Sequence, residues 1–206
     1  MTLDVSDAEA LDRCIADGGV AVFPADTVYG LACDPQSTRA VGRLYALKGR
    51  PSAKPAAVLF FALGAALDAL PGLGQRTREA LERLLPGALT VLLPNPERRF
   101  SLACGADPQT LGLRVPALTA SVQALATIGR PLLQSSANRA GGLEARAVHE
   151  VDVRLRAEVD LVLDGGVLPG TPSTVVDLRA YEAGREWSVL REGALSRSAL
   201  ASVLGE

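Results

Sequence analysis

Apolar residues recur three and four positions apart in some stretches of this chain and run unbroken in others. Residues 7–17 carry Ala8, Leu11 and Ile15 on one face and stop at Gly18-Gly19, a pattern that predicts an amphipathic helix. Residues 38–47 repeat the spacing with Val41, Leu44, Tyr45 and Leu47, and Ser37 or Thr38 is the expected cap. Residues 75–85 and 119–128 are also helical by pattern, and a last helix is expected from about Ser196. Between them lie short apolar runs at residues 20–23, 56–61, 88–93, 111–115, 131–134, 159–163, 173–178 and 187–190. These predict strands, most of them buried. Strands interleaved with helices imply an α/β fold, a twisted mixed sheet with helices packed on it. No repeat, low-complexity tract or linker interrupts the pattern, so residues 1–206 are expected to form a single domain.

Composition narrows the class. Apolar residues make up 48% and charged residues 21%, the balance of a globular chain able to bury a core. The longest apolar runs are too short to span a bilayer, and no positively charged, apolar leader opens the sequence. Cys14, Cys33 and Cys104 are odd in number and widely spaced, which argues against disulfides or a zinc site and predicts a reducing cytoplasm. A net charge of −2 gives no global attraction to nucleic acid, so any phosphate binding must be local.

One local concentration of cations is conspicuous. Only Lys48 and Lys54 are lysines, and both fall in Lys48-Gly49-Arg50-Pro51-Ser52-Ala53-Lys54-Pro55; every other basic residue is arginine. Glycine and proline punctuate the segment, which predicts a loop presenting an ammonium and a guanidinium to phosphate or carboxylate oxygens. A solvated basic turn after a helix is the alternative. Neither a P-loop nor Gly-x-Ser-x-Gly occurs, and Gly72-Leu73-Gly74 follows a proline rather than a strand. The single histidine, His149, lies in a polar stretch and is expected on a surface helix, which disfavours Ser/His and Cys/His hydrolases.

Four further segments place small polar residues at strand ends, where ligands gather in open α/β sheets. They are Phe23-Pro24-Ala25-Asp26-Thr27-Val28-Tyr29, Gln134-Ser135-Ser136-Ala137-Asn138, Pro172-Ser173-Thr174 and Leu190-Arg191-Glu192-Gly193. Each taken singly is also an ordinary turn, cap or loop, and the second suits the mouth of a helix with Asn138 at its N-terminus.

Taken in order, Pro24 to Leu31, Lys48-Gly49-Arg50-Pro51 with Lys54-Pro55, Pro86-Gly87-Ala88-Leu89-Thr90, Leu113-Arg114-Val115-Pro116, Ser135 to Asn138, Pro172 to Val175 and Arg191-Glu192-Gly193 resemble the signature set of the YrdC-like threonylcarbamoyl-AMP synthases. The resemblance runs from about residue 10 to about residue 195. It implies a YrdC-like fold with a concave cationic cavity. The implied reaction joins L-threonine, bicarbonate and ATP into threonylcarbamoyl-adenylate and pyrophosphate, with Mg2+ accompanying ATP and no protein metal site. The product would pass to tRNA threonylcarbamoyl-transfer proteins, and weak RNA binding is a further expectation.

The resemblance also assigns residues. Lys48, Arg50, Ser136 and Asn138 would form the catalytic set. Lys48, Arg50, Ser52, Arg114, Asn138, Arg146 and Arg191 would surround ATP, and Thr27, Tyr29, Ser136 and Ser173 would hold threonine. Two departures stand out: Ala25 replaces a threonine common in the family, and Leu59-Phe60-Phe61 replaces a run that often carries a histidine. Two alternatives remain open. One is an RNA-binding module without catalysis, set against a chain with only eight aromatic residues (one Trp, three Tyr, four Phe). The other is a carbamoyl-phosphate-using domain of the larger carbamoyltransferases.

Overall fold

The first helix, α1 (Val5–Ala16), begins where Asp4 Oδ1 accepts from the Ser6 and Asp7 amides while the Asp7 carboxylate accepts from the Asp4 amide. It and the elements after it are seen in a computed structural model describing residues 1–184 and 186–205. In chain order these are β1 (Ala21–Pro24), β2 (Tyr29–Cys33), α2 (Thr38–Lys48), β3 (Ala57–Leu59), α3 (Leu63–Ala69), α4 (Gln75–Leu84), β4 (Leu89–Pro94), β5 (Thr110–Arg114), β6 (Leu132–Ser136), α5 (Val153–Glu158), β7 (Leu161–Val162), β8 (Thr174–Asp177), β9 (Ser188–Arg191) and α6 (Arg197–Leu204). The strands form one mixed sheet in the order β7-β1-β2-β6-β3-β5-β4-β8-β9. The β1–β7, β3–β5 and β4–β8 pairs are parallel and the rest antiparallel. The α/β expectation holds.

The two faces of this sheet are treated differently, and that difference makes the cavity. One face buries Leu31, Val58, Val91, Leu111, Leu113 and Leu133 under α2, α4 and α6. The other face is covered only across β1, β2, β3 and the start of β6. There Phe23, Ala32, Leu59 and Leu132 pack on Leu11 and Ile15 of α1 and on Val122 and Leu125. Register carries the same face onward through Gln134, Ala57, Gly112 and Leu92, and through Arg114, Thr90 and Val175. No helix among the described residues covers these positions. Ala57 and Gly112, paired at the centre of the uncovered part, leave room there between the larger side chains of Gln134, Arg114 and Leu92.

Several elements depart from the sequence pattern for physical reasons. β2 was not expected as a strand because it is buried on both sides and shows no alternation. Gly30 sits within it because a Cβ there would meet the Gln134 amide at 2.8 Å. Residues 120–127 form 3-10 turns rather than an α-helix; Val122 and Leu125, three apart, are the buried pair, and three-residue periodicity stacks them on one side. The short helices α3 and α5 offered too few periodic positions to be recognised. No helix starts directly after β6: Gly141 at φ 81° and Gly142 turn the chain instead, with the Asn138 side-chain amide donating to the Gly142 carbonyl. Asn138 therefore has no helix dipole behind it. His149 is exposed, on a single 3-10 turn rather than a surface helix.

Candidate active site

Helix α2 delivers the first cation and ends on it. Gly49 takes the left-handed conformation (φ 60°) that closes the helix, so Lys48 belongs to the helix rather than to the loop expected from sequence. Its side chain is buried, and Nζ donates to the Ser136 carbonyl, to the Asn138 carbonyl (2.8 Å) and to Asn138 Oδ1 (3.1 Å). Burial, reinforced by the neighbouring Arg50 charge, lowers its pKa to about 8. Lys48 thus ties α2 to the end of β6 from behind the cavity wall.

Arg50 begins the loop proper and faces the cavity, donating to the Pro55 carbonyl while its buried Nε has no partner among the described residues. The loop is clamped from outside. Gly105 lies against it at φ 63°, where a Cβ would stand 2.5 Å from the Ala53 carbonyl oxygen, and the Ala106 amide donates to that carbonyl. Tyr45 Oη donates to the Lys54 carbonyl (2.8 Å). Ser52 and Lys54 point to solvent.

The floor carries a buried ion pair that sequence reasoning did not anticipate. Arg114, at the end of β5, donates to Asp26 Oδ1 (2.5 Å), to Thr27 Oγ1 (3.4 Å) and to Gln134 Oε1 (3.5 Å). Burial lowers the Arg114 pKa and Asp26 opposes it, leaving a guanidinium that stays charged. Arg114 Nε and Asp26 Oδ2 are buried without partners among the described residues. The opposite rim comes from β8 and β9. Ser173 shares a hydrogen bond with Thr90 (2.9 Å), and Arg191 donates to the Ser173 carbonyl (2.7 Å) and hydroxyl (3.3 Å). Gly193 allows this approach, since a Cβ there would fall 2.2 Å from the Pro172 carbonyl oxygen.

These side chains surround a cavity of about 560 Å³. Arg50, Arg114, Ser136, Ser173 and Arg191 line it, and Thr27 stands directly behind Arg114. Arg179, Asp107 and Glu144 line it as well, giving four arginines against two carboxylates and a positive balance. Lys48 and Asn138 stand just behind the lining through their bonds to the Ser136 segment. Arg146 is exposed outside it, and Tyr29 is turned away, its hydroxyl bonded to residues 164–166. The two departures from the family pattern meet: Ala25, Leu59 and Phe61 share one apolar cluster under α1.

Asp26 and Gln134 fall inside the strand-end segments singled out by sequence but carry no assigned role there, and Glu144 and Arg179 fall outside them. The strand-end positions of Asp26 and Gln134 are the signal that points to them. No cluster of three or more His, Cys, Asp or Glu residues is placed to hold a metal ion among the described residues. A single cavity carboxylate, Glu144, has a buried oxygen without a hydrogen bond there. No helix among them is long and apolar enough to cross a membrane.

The chain is similar to several known proteins. A threonylcarbamoyl-AMP synthase of Chromohalobacter salexigens is 36% identical over 170 residues, covering 82% of this chain and 90% of that protein. A threonylcarbamoyl-AMP synthase of Pyrococcus abyssi is 31% identical over 93% of this chain, but the chain spans only 55% of that longer relative. The crystal structure of P. abyssi Sua5 complexed with L-threonine superposes with a TM-score of 0.87 at 26% identity, covering all of this chain and 59% of that one. A family model named Sua5_yciO_yrdC and described as "Telomere recombination" matches residues 13–193, and the chain belongs to that family.

Proposed function

We propose that this chain is an L-threonylcarbamoyl-adenylate synthase, condensing L-threonine, bicarbonate or CO2, and ATP into threonylcarbamoyl-AMP and pyrophosphate. The observation that carries the reading is convergence. Arg50, Arg114, Ser136, Ser173 and Arg191 come from five separate segments and meet in one cavity. The relatives' name, and the threonine in the P. abyssi Sua5 crystal, supply the substrate class.

The reaction joins anions. Threonine's amine forms a C–N bond to the carbon of CO2 and loses a proton, giving a carbamate. A carbamate oxygen then attacks the α-phosphorus of ATP, and the bond to the β-phosphate oxygen breaks, releasing pyrophosphate. Repulsion and ordering dominate such a barrier, so fixed cations and immobilisation carry the catalysis, the latter contributing roughly 7–11 kcal/mol at best. Arg50 and Arg191 suit the phosphates, because both reach the cavity with guanidinium groups not ion-paired to a carboxylate among the described residues. Arg114 stands beside Thr27 and suits the threonine carboxylate, a different place from the triphosphate. Ser136 and Ser173 line the same cavity, Ser173 accepting from Arg191. Lys48 and Asn138 fix the Ser136 segment. Magnesium bound to ATP would draw charge from the phosphate oxygens.

The product would serve threonylcarbamoyl transfer to tRNA in the cytoplasm. A binding module for single-stranded RNA is disfavoured by the aromatics: seven of the eight are buried and Phe100 is half-buried, leaving no exposed stacking platform. Pyrophosphate release with threonine, bicarbonate and ATP omitted in turn tests the proposal. Release that persists without threonine would defeat it.

A further inference from the structure

Glu144 is one of two carboxylates in a cavity whose arginines suit anions; the other, Asp107, accepts from the Gln109 amide and from Thr110 Oγ1. The position of Glu144 is fixed from both sides: the Asn138 side chain donates to the Gly142 carbonyl, and the Ala145 carbonyl accepts from the Tyr29 amide (2.9 Å) at the start of β2. The side chain lines the cavity, yet it makes no ion pair within 4 Å among the described residues, and Oε2 is buried without a hydrogen bond there. Its charge reaches both Lys48 and Arg114, where it offsets a small part of the lowering that burial imposes on each. A buried carboxylate oxygen with no donor is costly, and beside a triphosphate it would repel as well. A divalent cation removes both difficulties. Magnesium is held in many nucleotide sites by one or two carboxylates plus substrate phosphates rather than by an all-protein cage, which matches a cavity with a single free carboxylate at this end.

We infer that Glu144 is the protein's ligand, direct or through water, for the divalent ion that enters with ATP. The inference rests on the nucleotide reading above. It concerns a residue outside the motifs that carry the family resemblance.

The test compares wild type with Glu144→Gln and Glu144→Asp by calorimetric titration of ATP without threonine, once in EDTA and once in excess Mg2+. A second readout is Mn2+ binding, followed by electron paramagnetic resonance with a non-hydrolysable ATP analogue. In wild type, Mg2+ should tighten ATP binding. Glu144→Gln should weaken binding of the magnesium complex and of Mn2+ roughly tenfold or more. In EDTA the same variant should bind ATP as tightly as wild type or more tightly, because a repelling charge has gone. Glu144→Asp, which keeps the charge, should fall between wild type and Glu144→Gln in the presence of the metal. Equal loss of ATP affinity with and without Mg2+, or a loss confined to threonine binding, overturns the inference and leaves the nucleotide site standing. A wild-type protein that binds no ATP under either condition overturns both.

Discussion

Replacing Tyr29 with phenylalanine separates a structural tyrosine from a substrate-binding one. The ring is fully buried on β2, and its hydroxyl donates to the Gly166 carbonyl (2.7 Å) and Asp164 Oδ1 (3.1 Å) while accepting from the Gly165 amide (3.1 Å). Burial and the Asp164 charge hold the phenol proton well above its ordinary range. Tyr29→Phe keeps the ring and opens no cavity. It strands a buried amide and a carbonyl, each costing about 1–3 kcal/mol, so a loss of about 3 kcal/mol is expected. In a chain of this length that lowers the melting temperature by roughly 6–12 °C. Urea denaturation should show a lower midpoint with an unchanged slope, because the surface exposed on unfolding is the same. Threonine affinity, measured by calorimetry below the transition, should change less than threefold. A melting temperature within about 1 °C of wild type, joined to lost threonine binding, would refute the reasoning and put the hydroxyl back in the substrate pocket.

Lys48→Met should abolish adenylate formation and remove a pH dependence of stability. Lys48 is held near pKa 8 in the folded chain against 10.5 ordinarily, so between those values the unfolded chain binds more protons, and wild-type stability rises with pH by about 3 kcal/mol at most. The oxygen acceptors around Nζ make this an upper bound, and denaturation at pH 7.5 and 10 checks whether Lys48→Met lacks the rise. Thr27→Val should weaken threonine binding by about 1–3 kcal/mol and leave ATP binding unchanged by titration, because the lost hydroxyl faces Arg114 rather than Arg50. Asn138→Asp places a carboxylate near the Lys48 ammonium but loses the amide donor that closes residues 138–142. It should lower turnover more than Asn138→Ala if negative charge near the phosphates matters; equal losses would show that loop closure alone is at stake. Serine in place of threonine should be used with a penalty of about 1–3 kcal/mol in kcat/KM, since Ala25 and Leu59 supply no hydrogen-bonding group to read the side chain.

Most of the fold was legible because long amphipathic helices and buried strands announce themselves by period. Residues 29–33 were not, since a strand covered on both faces loses its alternation. The helix expected after Ser136 failed because two consecutive glycines and the Asn138 side chain stabilise a turn instead. At the site, motif order located the five segments that meet in the cavity, but side-chain direction was beyond it. Lys48 and Arg50, two residues apart, point to different places because a helix ends between them at Gly49. Asp26 was legible as a polar residue after a strand, while its partnership with Arg114, eighty-eight positions away, depends on strand order alone. Glu144 carried no sequence signal.

The central claim is that one cavity joins three substrates. Its most direct test is mass spectrometry of the nucleotide product formed from ATP, L-threonine and 13C-bicarbonate. The account predicts threonylcarbamoyl-adenylate carrying the label, formed together with pyrophosphate and absent when threonine is withheld. Pyrophosphate appearing without a labelled adenylate would contradict it.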